Sequence, residues 1–240
     1  MRTNEIAQLA NVHPNTVRLY EAWHYISPVP RLSNGYRDYS AIHVKQLLIA
    51  RLAFRQEFIQ NNLRKKATKI VQLSGLEQFA DSLQAARDYL HYLQGELRYA
   101  QQAVRMVDTL LQAPSTSHSL YTHKEMAEAL QLTEESIRNW ERNGLFTVAR
   151  NAQNRRQYTE ADKQKLLIIR TLRSAHFSIA SILHLFEDIA QVEQTADLHV
   201  LLNTPKFTDE FYHATDALEV NLKKAMTDVA SIITLLEELH

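Results

Sequence analysis

The longest regular alternation in the chain runs through Leu76, Phe79, Leu83, Ala86, Leu90, Leu93, Leu97, Ala100, Val104, Val107 and Leu111, which stand three and four apart without a break. Apolar residues at that spacing over several heptads form one line along a helix, the pattern of a coiled-coil helix. A second line runs through Phe211, Thr215, Leu218, Leu222, Ala225, Val229, Ile232, Leu236 and Leu239, on a helix that Thr204-Pro205 begins. Gly95 lies off the first line and costs about 1 kcal/mol against alanine. Left in water, lines this long forfeit on the order of tens of kcal/mol at roughly 25 cal/mol per Å². Each therefore needs a partner helix.

Ahead of each long helix the apolar spacing is short and interrupted. Residues 3–10 predict a helix with Ile6, Leu9 and Ala10 inward. His13-Pro14 starts another, because proline at the first helical position has its dihedral already set and lacks only an N–H that would be orphaned anyway. Two short helices joined by Asn11-Val12-His13 predict a helix-turn-helix, whose second helix is the one that enters the major groove. Between Ser27 and Ser40, Val29, Leu32, Tyr36 and Tyr39 surround Pro28, Pro30 and Asn34-Gly35. That is a hairpin pattern in which Asn-Gly supplies positive dihedrals, the wing of a winged helix-turn-helix. Ser40 caps a helix to about Phe54, and another follows from about Gln56 to Leu73.

The same layout returns 120 residues later. Glu5, Ala7, Arg18 and Glu21 fall on Glu125, Ala127, Arg138 and Glu141, while Val17 becomes Ile137 and Tyr20 becomes Trp140. From the wing onward the offset is 119, so Arg37, Tyr39, Leu47, Leu48, Arg51 and Phe58 map to Arg156, Tyr158, Leu166, Leu167, Arg170 and Phe177. One deletion accounts for the change. A repeat this long is two copies of a domain rather than a solenoid unit. Asn154 stands at the Gly35 position, and asparagine is the non-glycine residue that best tolerates the left-handed region. Thr122-His123-Lys124-Glu125 is a capping box that opens the second copy.

The organisation expected is a first winged helix-turn-helix at 1–74, a long helix at 75–113 and a polar, proline-containing linker at 114–119. A second winged helix-turn-helix at 120–192, an acidic irregular connection at 193–205 and a second long helix at 206–240 follow. The fold class is mainly α, with the two long helices pairing as an antiparallel coiled coil.

Lysine plus arginine and aspartate plus glutamate are 27 each, so overall charge is uninformative; its distribution is not. Residues 1–70 hold 11 basic against 4 acidic side chains, and residues 191–240 hold 3 against 9, an asymmetry nucleic-acid binders often show. The absence of cysteine excludes disulfides and thiolate metal or redox sensing. No apolar run of roughly 18 residues occurs, so no membrane partner and a cytoplasmic, nucleoid-associated location are expected. The histidines form no cluster at metal-ligand spacing, and no phosphate loop, catalytic triad order or His-Glu metal motif is present. No enzyme, cofactor or metal is expected.

These residues resemble the MerR family of bacterial transcription regulators, whose first domain reads roughly E-x-A-x-x-x-x-V, then T-[LIV]-R-x-[YW]-E, then G-Y-R-x-Y. The first copy matches all three blocks; the second matches two well and the third partly, with Asn154-Arg155 in place of Gly35-Tyr36. The departure is the count, since the family's usual member carries one such domain and takes the second from a partner subunit. The resemblance implies a single-chain pseudo-dimer, one polypeptide folded like the family's two-subunit assembly. The other arrangement is a homodimer with four reading heads. The implied function is sequence-specific binding to double-stranded promoter DNA, with distortion of the site and RNA polymerase as a partner. A degenerate second domain that binds a protein, and a DNA-bending architectural protein, are the alternatives.

In the first copy the resemblance assigns Arg18 and Tyr20 to the DNA backbone, Asn15, Thr16 and Leu19 to the groove, and Tyr36 and Arg37 to the wing. A core aromatic with its hydroxyl at the surface is the other reading of Tyr20, and a solvated arginine that of Arg37. In the second copy it assigns Arg138, Trp140, Arg155, Arg156 and Tyr158, although Thr133-Glu134-Glu135 opens that reading helix with two acids that repel phosphate. Asn15 suits an adenine edge, and the carboxylates a cytosine amine. The chain names no effector. Tyr89, Tyr92 and Tyr99 either line a pocket or pack beside the seam.

Overall fold

A computed structural model describes residues 1–55, 61–112, 119–191, 197–204 and 217–240. Phe58, most of the expected linker, Phe211, Thr215 and the expected start of the last helix lie outside the described residues. The chain divides into two compact units: residues 1–95 with 221–240, and residues 96–220.

In the first unit, α1 (Thr3–Leu9) and α2 (Pro14–Ala22) are joined by a tight turn. Asn11 takes the left-handed conformation there (φ 50°), and the Val12 N–H donates to the Ala7 carbonyl at 2.9 Å. The His13 ring caps α2 by accepting from the Asn15 N–H. Ile6, Ala7, Ala10, Val17, Ile26, Tyr39 and Leu47 make one buried cluster, so both helices face the helix α3 (Ala41–Ala53) across it. Tyr20, Val12 and Val29 pack on its margin. The hairpin between α2 and α3 is reduced to a bridge between Arg31 and Arg37. Its turn differs from the sequence expectation. Gly35 alone is left-handed (φ 79°), its N–H donates to the Leu32 carbonyl, and the Leu32 N–H donates to Tyr36. This is a three-residue loop closed by a left-handed residue, in which Asn34 instead accepts from the Tyr36 N–H.

Helix α4 (Asn61–Gly75) follows, then α5 (Phe79–Gln112). The apolar line was expected to begin at Leu76, and here the structure corrects it. Glu77 is left-handed (φ 59°) and the Gln78 N–H closes back on the Leu73 carbonyl, so the chain turns and leaves Leu76 exposed. Beyond that turn Leu83, Ala86, Tyr89 and Leu93 are buried in the first unit. The last helix, α11 (Leu218–Glu237), buries Leu222, Ala225, Val229, Ile232 and Leu236 there too. Two cations hold α11, Arg55 on the nearly buried Asp228 (2.7 Å) and Arg87 on Glu237 (2.9 Å), and Lys45 holds Glu238 just past its end (3.0 Å). Lys45 lies on α3 and Arg87 near the start of α5.

The second unit repeats the layout with α6 (His123–Ala129), α7 (Glu134–Arg142), α8 (Glu160–Ser174) and α9 (Ile179–Gln191). Here the sheet is fuller: β3 (Arg156–Thr159) lies between β1 (Leu120–Tyr121) and β2 (Ala149–Arg150), antiparallel to both. The buried residues Ala100, Ala103, Val104 and Val107 of α5 belong to this unit, and Gln164 donates to the Leu110 carbonyl. The stretch 193–205, expected to be irregular, contains the helix α10 (Leu198–Asn203). Asp197 caps it through the His199 N–H, and Leu198 and Leu202, one turn apart, are buried.

The two copies agree in backbone where their side chains differ. Left-handed Asn11, His24 and Gly35 correspond to Gln131, Gly144 and Asn154, each also left-handed. His24 (φ 56°) therefore bears a strain that Gly144 (φ 78°) avoids at the same place. A left-handed L-residue costs roughly 1–2 kcal/mol, partly offset by glycine's greater unfolded-chain entropy. His24→Gly is expected to stabilise the first unit by about 0.5–1 kcal/mol, read as a raised urea midpoint with an unchanged slope.

Candidate nucleic-acid interface

On α2, the Pro14 start and the burial of Val17 leave Asn15, Arg18 and Leu19 exposed and Thr16 half-buried. Arg18 is held along the helix by the Asn15 side chain, whose Oδ1 accepts from its guanidinium at 2.7 Å. These four residues share the outer face of the second helix of a helix-turn-helix, the face a major groove would meet. Tyr20 is turned the other way. Its ring centroid lies 5.5 Å from Tyr25, 6.2 Å from Trp23 and 6.5 Å from Phe54, and burial pushes its hydroxyl pKa up. The core-aromatic reading of Tyr20 fits this packing.

Tyr36 at the hairpin tip is 61% exposed, with the Arg2 guanidinium 5.7 Å from its ring centroid. Arg37 is less free than the resemblance implies: its Nε donates to Glu21 at 2.7 Å, and both side chains are about three-quarters covered. Arg156 makes the same bond to Glu141 at 2.8 Å. In both copies the arginine of the third motif block is tied to the glutamate that ends the second. This pair locks the hairpin to the second helix of the helix-turn-helix.

Sequence reasoning missed Arg31 and Arg150. Each donates to the carbonyl at its hairpin turn, Gly35 and Asn154 respectively, at 3.1 Å, and both are exposed. Their separation of 119 residues is the offset that aligned the wings, and it was the signal available.

In the second copy Arg155 is exposed, but two expectations are corrected. Trp140 is 7% exposed and Tyr158 is fully buried, so both are core side chains rather than surface contacts. Trp140 lies one turn from buried Ile137, on the inner side of α7. The Tyr158 hydroxyl meets His123 Nδ1 at 2.7 Å, and burial pushes its pKa up to about 12. Burial also pushes His123 down, and Arg138 adds to that shift. A cleft of about 580 Å³ opens between hairpin and helices, lined by Lys124, His123, Glu134, Arg150, Arg155 and Arg156 among others. Arg138 donates to Glu134 at 2.6 Å and to Glu135 at 3.3 Å, and Arg142 to Glu135 at 2.5 Å. Of the tyrosines on α5, Tyr89 is buried, Tyr92 carries Lys66 4.7 Å from its ring centroid, and Tyr99 is exposed beside a groove with Met106 and Arg170.

Among the described residues no helix is long and apolar enough to cross a membrane. No curated protein and no solved structure matches the chain. A model of the MerR HTH family of regulatory proteins matches residues 1–61 and again residues 121–189, together more than half of the chain. Each match covers one helix-turn-helix and its hairpin. The chain belongs to the MerR HTH regulatory family, as a DNA-binding transcription regulator that carries the family's domain twice.

Proposed function

We propose that this chain is a sequence-specific regulator that grips and distorts an asymmetric promoter site as a single-chain pseudo-dimer, with RNA polymerase as its partner. Each copy serves as a winged helix-turn-helix, at 1–74 and 120–192, and the long helices at 75–113 and 206–240 pair as an antiparallel coiled coil. The observation that supports this reading is the burial, within one chain, of Leu83, Ala86 and Leu93 of the first line and of Leu222 to Leu236 of the second. Leu222, Val229, Ile232 and Leu236 of α11 are covered without a second polypeptide. Arg87, near the start of α5, meets Glu237 at the end of α11, the sense an antiparallel pair requires. Among the described residues, the stretches of the two lines that are buried leave less apolar surface to drive dimerisation.

In the first copy Asn15, Thr16 and Leu19 face the groove, with Arg18, Tyr36, Arg31 and the free edge of Arg37 toward phosphate. Phosphate contacts position such a protein and base edges specify its site. Arg155 and Arg150 take the corresponding wing role in the second copy, with Arg138 on its helix. Since the two reading helices differ, the site they select is asymmetric, whereas a symmetric dimer mirrors a palindrome. Untwisting such a site costs several kcal/mol by elastic estimates, met by backbone contacts.

Light scattering at micromolar concentration tests the arrangement. The expected mass is 27.8 kDa, and twice that value would establish the homodimer with four heads. Footprinting of the selected site is expected to give unequal half-sites; equal protection of a perfect inverted repeat would remove the asymmetric-site reading.

A further inference from the structure

The first residues of the two reading helices occupy equivalent backbone positions but carry opposite electrostatics. At the offset of 120, Pro14, Asn15, Arg18 and Ala22 correspond to Glu134, Glu135, Arg138 and Arg142. Asn15 and Glu135 both accept from the arginine one turn on, at 2.7 and 3.3 Å. A neutral amide leaves Arg18 its full charge. On α7, by contrast, Glu134 and Glu135 take both arginines in three contacts between 2.5 and 3.3 Å. Glu21 and Glu141 do not alter this comparison, because each is spent on the hairpin arginine of its own copy. The outer face of α2 thus presents one uncompensated cation, and that of α7 two cations against two carboxylates.

Exposed ion pairs of this kind contribute little to stability. Their effect on binding is larger, because a phosphate approaching Arg138 meets two carboxylates within 4 Å of the same guanidinium. Hydrogen bonds from Arg142 and Arg138 hold the Glu135 carboxyl below its usual range, so that charge persists on the face. The hairpin beside α7 keeps the exposed cations Arg150 and Arg155 on the cleft, so the wing of this copy remains electropositive while the outer face of its helix is neutral. Resting on the pseudo-dimer reading, we infer that Glu134 and Glu135 close the second reading head to phosphate, and that positions 15 and 135 decide which head dominates the grip on duplex DNA. The second head then engages through its wing, and α2 sets the register.

The test uses the full chain, sheared double-stranded DNA of mixed sequence and a salt titration. E134Q/E135Q keeps side-chain length and helix propensity while removing both charges. It is expected to tighten binding about tenfold at low salt and to steepen the log–log salt dependence by about one to two ions. In an Arg18→Glu background the same pair is expected to restore most of the lost affinity. Unchanged affinity and slope in E134Q/E135Q, with Arg18→Glu still weakening binding, would overturn the closed head and leave the first-copy reading intact. A wild-type chain that fails to bind duplex, or an Arg18→Glu chain that binds as the wild type does, would instead remove the reading on which it rests.

Discussion

Arg18→Glu is expected to weaken binding to the selected promoter site about 10–100-fold and to flatten the salt dependence by about one ion. The size follows from position. Arg18 stands exposed on the outer face of α2 with its guanidinium on the Asn15 amide, and it makes no ion pair among the described residues. On the proposed reading, reversal removes one phosphate contact and adds repulsion to the duplex backbone. The fold should be indifferent, since exposed substitutions away from caps and cores stay within about 0.5 kcal/mol. A urea midpoint equal to that of the wild type, alongside lost binding, separates the two effects. Arg37→Ala should show the opposite signature: a lower midpoint, because it strands the mostly covered Glu21, with a smaller change in salt slope. Unaltered affinity in Arg18→Glu would mean that α2 is not the reading helix.

Much of this arrangement is legible in the sequence, and the parts that are not share a cause. The helix-turn-helix pairs follow from Pro14, from the Thr122–Glu125 box and from the offset of 120, all of which are local. The long helices follow from spacing. Pairwise side-chain geometry is not local, and there the motif misleads. Arg37 and Arg156 sit in wing motifs that suggest phosphate, yet each reaches back 15 or 16 residues to a glutamate of the reading helix. Trp140 and Ile137 stand three apart, a spacing that already places both on one face of α7. The resemblance to a surface aromatic outweighed that spacing, and the burial of Trp140 shows that spacing was the better guide. The apolar alternation ran through Leu76 because nothing in a glutamate announces the positive φ at Glu77. The helix at Leu198–Asn203 was legible in Asp197 and in Leu198 and Leu202, but its acidic surroundings obscured it.

Gly75→Ala is the substitution expected to damage the first unit most. A Cβ at Gly75 would stand 2.1 Å from the His24 carbonyl oxygen and 3.0 Å from two further backbone carbons. Backbone cannot swing aside as a side-chain tip can, and this stretch is fixed on both flanks. Gln46, fully buried on α3, accepts from the Ser27 N–H at 2.9 Å and donates to the Ser74 carbonyl at 2.7 Å, tying the turn after α2 to the end of α4. His24 is itself left-handed, so the turn has little slack. Overpacking costs about 1–3 kcal/mol where side chains can yield. Against backbone, with the Gln46 bridge broken as well, a loss of about 3 kcal/mol or more is expected. Gly95→Ala is the matched control, because nothing lies within 4 Å of its Cβ and it sits inside α5. There alanine should stabilise by about 1 kcal/mol through helix propensity alone. Urea unfolding of the two variants should therefore move in opposite directions. The Gly75→Ala chain should also lose DNA affinity, since the turn it displaces is the one that seats α2. Equal midpoints for the two variants would mean that α4 and the turn at His24 do not pack this closely in solution.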